Sequence, residues 1–382
     1  MRRSAISVAA VMLLSACGTT SESNGDASDD TNASPTSTTS IETTTTSTTR
    51  PPDPGPNTPS GHVVLAGLPG AGERCNDDGN RKIAVDWQAP GDDYTGPPLP
   101  LHLGFTGAGG NYAGPHPFGW QEPAGLESKD TLDGAFNVMI RFECMNSPEY
   151  PKLSSGPRSF FYLADIGFNP HDVDYVYELL CTDLHEGTAD AGLLVPIDTS
   201  LIDCTRVGLR GHSGGALTAM LFLNECFEKM SITPNIRAIA GVVGGFFPLG
   251  FCSDPGVTGF DYRTDSGVPL FLKIACEDER IPYSSLVRDQ WQNLGSPKFL
   301  YSRNGGHSET TGPGGADAIS ARLLSGEGLI LDFMRYYLLG DEGPTGLGAL
   351  DDYPDVPAVD GFASSYQYDG PFGTKLDGGL CG

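Results

Sequence analysis

The sequence predicts an α/β chain built on a mostly parallel central sheet with helices on both faces, and three observations carry that expectation. From residue 61 onward, short apolar runs alternate with longer stretches of helical composition, the pattern of strands joined by crossovers. The length, 382 residues, is within reach of one large α/β domain. Gly (51) and Pro (30) are frequent while 38% of residues are hydrophobic, so the chain is loop-rich and still able to bury a core.

The apolar runs place strands at 82–87, 100–105, 135–142, 206–210, 236–243 and 269–275, and helices at 171–183, 214–230, 282–294 and 328–339. The run 238–251 is apolar but broken by glycines and a proline and is too short to span a bilayer, so it reads as a buried strand and its loop. Residues 341–382 are rich in Gly and Asp and end in Cys381; a lid, a wrapped tail and a stapled terminus all fit that composition.

The first residues read as an export address. Arg2 and Arg3 precede an apolar run over 5–14, followed by Leu14-Ser15-Ala16-Cys17, which resembles the bacterial lipobox whose cysteine is acylated. Residues 1–17 are therefore expected to be a lipoprotein signal with Cys17 as the lipidated residue. Residues 18–60 are expected to be a disordered Ser/Thr-rich linker and 61–382 the folded α/β domain. A linker of that length holds the domain about 35 Å from the lipid on average. With Cys17 spent on lipid, eight cysteines remain, an even set that suggests disulfides in an exported chain. Cys181 and Cys204 are the expected pair, since one ends a helix and the other lies just before the strand leading to Gly211.

Lys and Arg number 23 against 48 Asp and Glu, a net charge of −25, so the surface repels a phosphate backbone and nucleic-acid binding is excluded. The same charge disfavours anionic substrates. No polybasic patch aids membrane binding, so membrane contact is expected through the Cys17 lipid alone. The cysteines and histidines show neither a CxxC nor a cluster at ligand spacing, which argues against zinc.

The chemistry begins at Gly211-His212-Ser213-Gly214-Gly215, a G-x-S-x-G match. In a chain with 51 glycines the pattern alone is weak; the apolar stretch before it and Ala216-Leu217-Thr218-Ala219-Met220-Leu221 after it strengthen it. A strand that turns sharply into a helix exposes Ser213 as a nucleophile. Such a serine needs a base and the base needs a carboxylate, here in the chain order Ser, acid, His. Asp278 follows the apolar run 269–275, four residues before Pro282, with Glu277 and Glu279 as rivals. His307 sits in Asn304-Gly305-Gly306-His307. His212 is expected to pack beside Ser213 rather than act as the base. The oxyanion donors are expected to be the N–H groups of Gly214 and of Gly107 or Ala108, in the Gly-rich loop after 100–105. A phosphate loop is disfavoured because no Lys-Ser/Thr follows. The segment 114–125, with Phe118 and Trp120, and neighbouring Tyr112 are candidates for lining a substrate pocket.

From Lys82 to His307 these landmarks, with Asp172-Val173-Asp174-Tyr175-Val176 and Ile197-Asp198-Thr199 between them, resemble the α/β-hydrolase superfamily. Within it they are most similar to the secreted poly(3-hydroxybutyrate) depolymerase and feruloyl or acetylxylan esterase group. Thr106-Gly107 stands where that group usually has His-Gly, and Ser308-Glu309 where Trp-Pro often follows the histidine. The resemblance implies an α/β-hydrolase fold, no cofactor, and hydrolysis of small or polymeric esters, including polyester or polysaccharide-linked esters, through an acyl-enzyme. A serine peptidase or acyltransferase would use the same residues, and a non-catalytic surface lipoprotein on this fold is the other reading.

Overall fold

Strands form where β-branched and aromatic residues alternate between two faces, and in this chain both faces are covered. The structure, a computed structural model, describes residues 60–66, 82–91, 93–107, 131–142, 169–246, 262, 266–279, 281–295, 297–307, 327–343, 346, 348, 350, 356–359, 362–376 and 381. The expected signal, Cys17 and the linker as far as residue 59 lie outside the described residues.

The strands are β1 (Ser60–Leu65), β2 (Ile83–Gln88), β3 (Leu99–Phe105), β4 (Phe136–Phe142), β5 (Ile202–His212), β6 (Ile236–Val242), β7 (Leu270–Ala275), β8 (Lys298–Arg303), β9 (Val356–Val359), β10 (Phe362–Gly370) and β11 (Gly373–Lys375). They make one sheet in the order β1-β2-β4-β3-β5-β6-β7-β8-β10-β11, with β9 paired to β10. From β4 through β8 neighbouring strands are parallel; β1, β2, β10 and β11 add antiparallel pairs at the two ends. Strands β3, β4, β7 and β8 are buried along their whole length, as parallel strands covered on both faces must be.

The helices are α1 (Asn169–Cys181), α2 (Ala189–Leu193), α3 (Gly214–Leu221), α4 (Tyr283–Leu286), α5 (Arg288–Asn293) and α6 (Glu327–Met334), the last continuing as a π turn over Arg335–Leu339. Val173 and Val176 of α1, Leu217 and Met220 of α3, and Trp291 of α5 share one core with Leu103, Leu209 and Leu272. Leu329, Phe333 and Met334 of α6 share the other with Ala240, Phe271 and Phe299. A mostly parallel sheet with helices on both faces and a serine at the turn after β5 is the α/β-hydrolase fold.

The expected helix over 214–230 ends at Leu221. Every residue of α3 and the following Phe222 and Leu223 are buried, so the segment has no polar face to carry a longer surface helix. Asn224 then accepts the Cys226 N–H at 2.9 Å, diverting the backbone into a 3₁₀ turn. The helix expected over 282–294 is likewise two short pieces that break at Val287, where φ is −129°.

The tail over 341–382 extends the sheet: β10 lies antiparallel on β8 from Ser364 opposite Arg303 to Asp369 opposite Lys298, and Cys381 is bonded to Cys276. The expected Cys181–Cys204 bond is present and joins the end of α1 to the start of β5 across 23 residues. Chain-entropy reasoning assigns about 3 kcal/mol to that bond and about 5 kcal/mol to the one spanning 105 residues. Cys226 is disulfide-bonded as well. At the opposite end of the sheet, the Asp86 carboxylate takes His62 at 2.6 Å and Arg141 at 2.7 Å, tying β1, β2 and β4 together.

His102 of β3 is 2% exposed. Asn137 Nδ2 donates to the carbonyls of Leu132 and Ala135, so its Oδ1 accepts the His102 Nδ1–H at 2.9 Å. The proton is thereby assigned to Nδ1, and the buried Nε2 has no hydrogen-bond partner among the described residues. Burial lowers the His102 pKa to about 4; the Asn137 bond opposes this and the Arg210 charge adds to it. Above pH 6.5 the imidazole is neutral in both folded and unfolded chains. Below that, only the unfolded chain takes up the proton, so stability falls down to about pH 4, by about 3 kcal/mol. Urea unfolding should show the stability difference between wild type and His102→Gln shifting in favour of the variant by that amount as pH drops from roughly 7 to 4. Parallel pH dependences in the two proteins would rule this out.

Candidate active site

The strand order reverses between β3 and β5: the chain leaves β3 for β4 on one side and continues through β5 to β8 on the other. Such a switch point opens a crevice at the carboxyl ends of the two strands. The loop after β3 begins there with Thr106 and Gly107, and Ser213 follows β5 at the same edge.

Ser213 joins β5 to α3 with φ 53° and ψ −118°, a conformation that costs a non-glycine residue of order 1–3 kcal/mol. Its N–H donates to Val242 O at 2.8 Å and its carbonyl accepts the Leu217 N–H at 3.1 Å, which hold the turn. The turn also depends on missing side chains. A Cβ on Gly211 would lie 2.1 Å from Gly215 O, and one on Gly215 would lie 2.4 Å from Phe105 O. Only glycine at both positions lets strand and helix approach this closely.

Ser213 Oγ lies 2.7 Å from His307 Nε2, and His307 Nδ1 lies 2.6 Å from Asp278 Oδ2. The structure thus brings Ser213, His307 and Asp278 into one hydrogen-bonded chain. The Asp278 side chain is 1% exposed and that of His307 9%, whereas Glu277 and Glu279 are exposed. The second carboxylate oxygen of Asp278 accepts the Ile281 N–H at 2.9 Å, which fixes the rotamer that faces the imidazole. A carboxylate acceptor places the proton of His307 on Nδ1 and leaves Nε2 free to accept from Ser213. The His212 ring lies 6.4 Å from the His307 ring, beside the serine.

The loops carrying Asp278 and His307 are joined by backbone bonds: Cys276 N–H donates to Arg303 O at 2.8 Å and Glu277 N–H to Gly305 O at 3.1 Å. Gly305 takes φ 96°, open to glycine and strained for other residues. Arg303, which sequence reasoning did not single out, is 2% exposed and donates to Asn304 O at 3.0 Å and Gly306 O at 3.3 Å. Its guanidinium holds the turn that delivers His307. A cation directly before Asn-Gly-Gly-His, after the apolar run Phe299-Leu300-Tyr301, was the available signal.

Gly214 is buried at the first position of α3, where an N–H has no intrahelical acceptor. Gly107 packs against the same turn: a Cβ there would sit 2.9 Å from His212 Nδ1 and 3.0 Å from Ser213 Cβ. Ala108 and the 112–125 segment lie outside the described residues. Among the described residues there is no group of three or more His, Cys, Asp or Glu that could hold a metal ion.

No family model and no curated protein matches the chain. Among solved structures, it is similar to a ferulic acid esterase from Streptomyces cinnamoneus at 17% identity and a TM-score of 0.47, over 84% of this chain and 97% of that one. It is also similar to the AtxE2 isopeptidase with bound astexin at 15% identity and a TM-score of 0.44, over 77% of this chain and 42% of the isopeptidase.

Proposed function

We propose that the protein is a serine hydrolase that cleaves carboxylic esters through an acyl-enzyme. The observation that carries this reading is the continuous chain from Ser213 Oγ through His307 to Asp278, with links of 2.7 and 2.6 Å at the carboxyl edge of the sheet. Ser213 attacks the ester carbonyl while His307 Nε2 takes its proton. Asp278 holds the imidazole tautomer and stabilises the imidazolium that forms. The tetrahedral oxyanion is received by the Gly214 N–H and by the loop that starts at Gly107, each such donor being worth about 10²- to 10³-fold in rate. His307 then passes its proton to the leaving alcohol, and water, activated by the same base, releases the acid. No step calls on a metal or organic cofactor.

The net charge of −25 favours neutral esters, small or polymeric, including polyester and polysaccharide-linked esters. The disulfides are compatible with an oxidising compartment. Together with Leu14-Ser15-Ala16-Cys17 they support an exported protein held at the cell envelope by lipid on Cys17.

Ser213→Ala should lower turnover of p-nitrophenyl esters by about 10⁴-fold or more with the fold intact by circular dichroism. Asp278→Asn should cost of order 10⁴-fold, while Glu277→Gln and Glu279→Gln leave turnover unchanged. A panel of esters, peptide anilides and alcohol acceptors separates the esterase from a peptidase or acyltransferase; faster anilide cleavage would displace the ester reading. Cys17→Ser should abolish incorporation of labelled fatty acid and release the protein from membranes without changing its specific activity. Undiminished labelling would dismiss Cys17 as the anchor.

A further inference from the structure

Asp278 stands on a short loop whose own backbone bonds include Asp278 N–H to Ala275 O at 3.3 Å and Ile281 N–H to the Asp278 carboxylate at 2.9 Å. The loop runs Cys276-Glu277-Asp278-Glu279, three successive carboxylates, of which Glu277 and Glu279 are exposed and carry like charge beside the buried Asp278. Repulsion within such a run favours opening, yet the Asp278 oxygen has to stay 2.6 Å from His307 Nδ1. Strand β7 ends at Ala275, immediately before the loop. Two constraints from outside the loop fall on Cys276, beside the Glu277 N–H bond to Gly305 O. Its N–H is bonded to Arg303 O, and its sulfur is bonded to Cys381.

The tail that bears Cys381 is itself anchored to the strand that delivers the histidine. β10 pairs with β8 over six registered positions, Ser302 Oγ donates to Ser365 O at 3.3 Å, and Gln367 Nε2 donates to Leu376 O between β11 and the cysteine. The connections therefore close a ring. It runs from Asp278 to Cys276, across the disulfide to the tail, through β10 to β8, and on to His307. Within that ring the acid and base side chains meet through their hydrogen bond, beside the two backbone bonds that join their loops.

We propose that the Cys276–Cys381 bond is a positioning link for the reaction: it clamps the acid loop to the tail so that Asp278 stays in register with His307. The proposal rests on the serine-hydrolase reading above. It concerns residues that touch neither substrate nor Ser213, and it makes turnover depend on a bond to a residue 105 positions away.

The test compares the full chain carrying Cys381→Ser, the Cys276→Ser/Cys381→Ser pair, which leaves no free thiol to mispair, and the Cys181→Ser/Cys204→Ser pair, which removes the bond between α1 and β5. Each is assayed with p-nitrophenyl acetate below its own melting temperature. The low-field NMR proton of the His307–Asp278 hydrogen bond is followed alongside. Loss of the Cys276–Cys381 bond should lower kcat by about 10-fold or more with KM nearly unchanged, and should broaden or remove the low-field proton. Loss of Cys181–Cys204 should lower the melting temperature and leave both readouts in place. If the Cys276→Ser/Cys381→Ser protein is only less heat-stable, with wild-type kcat and an intact proton signal, the link is structural and the proposal is overturned. If neither variant folds, brief dithiol reduction of the folded wild type, with alkylation mapped by mass spectrometry, gives the same readouts. Full turnover in molecules opened at Cys276 and Cys381 would overturn it as well. Should wild-type turnover prove independent of Ser213, the hydrolase reading fails instead, and the proton signal alone decides whether the bond positions Asp278.

Discussion

Everything at the candidate site depends on one close approach, that of β5 to the first turn of α3. The backbone there is nearer than any Cβ would permit, because Gly211 and Gly215 have none, and Ser213 is pressed into a positive φ as a result. The strain is not stored in isolation. Val242 takes the serine N–H, the Phe105 and Thr106 carbonyls stand against Gly215, and Gly107 leaves room for the ring of His212. Four separate segments, the ends of β3, β5 and β6 and the first turn of α3, must be in place for the serine oxygen to reach the edge of the sheet, and each is buried where it meets the turn. The cost of the turn is met by the two cores, which supply far more than the few kcal/mol it requires.

The parallel sheet turns this local geometry into a site. With β3, β5, β7 and β8 pointing the same way, the loops that follow them share one edge, so residues far apart in sequence need no long connections to meet. Asp278 and His307 lie on adjacent strands' loops, which accounts for the two backbone bonds between them. Arg303 adds a buried charge that donates to main-chain carbonyls of the histidine loop, a use of arginine that orders backbone.

Legibility in the sequence followed the strength of the local pattern. β1 and β8 were not expected, and β8 begins with Lys298 and ends with Ser302-Arg303, which leaves only three apolar residues to announce it. The central strands that were expected were readable to within a residue or two at most ends, because nearly continuous apolar runs such as Leu-Pro-Leu-His-Leu-Gly-Phe mark strands covered on both faces. β5 was the exception, beginning four residues before the apolar stretch because Ile202 to Thr205 pair through backbone rather than through an apolar pattern. Helix lengths failed where tertiary packing intervened: α3 has no polar face, and Asn224 ends the segment with a side-chain bond that periodicity cannot reveal. The tail strands were missed because Phe362–Gly370, Phe-Ala-Ser-Ser-Tyr-Gln-Tyr-Asp-Gly, is too polar to announce a strand and becomes one only against β8. At the site, Ser213, Asp278 and His307 could be named from order and flanking glycines, whereas Arg303 and the partner of Cys276 are matters of three-dimensional proximity.

The pairing of β8 with β10 also decides how the parallel part of the sheet ends. β10 lies roughly sixty residues further along the chain and meets β8 in six registered pairs, Lys298 to Arg303. Without it, the backbone groups beside Phe299, Leu300 and Tyr301 would form an open edge of the kind on which foreign strands add. The C-terminal tail is thus a cover as well as a strand: a chain cut before β10 would expose that edge and be prone to self-association.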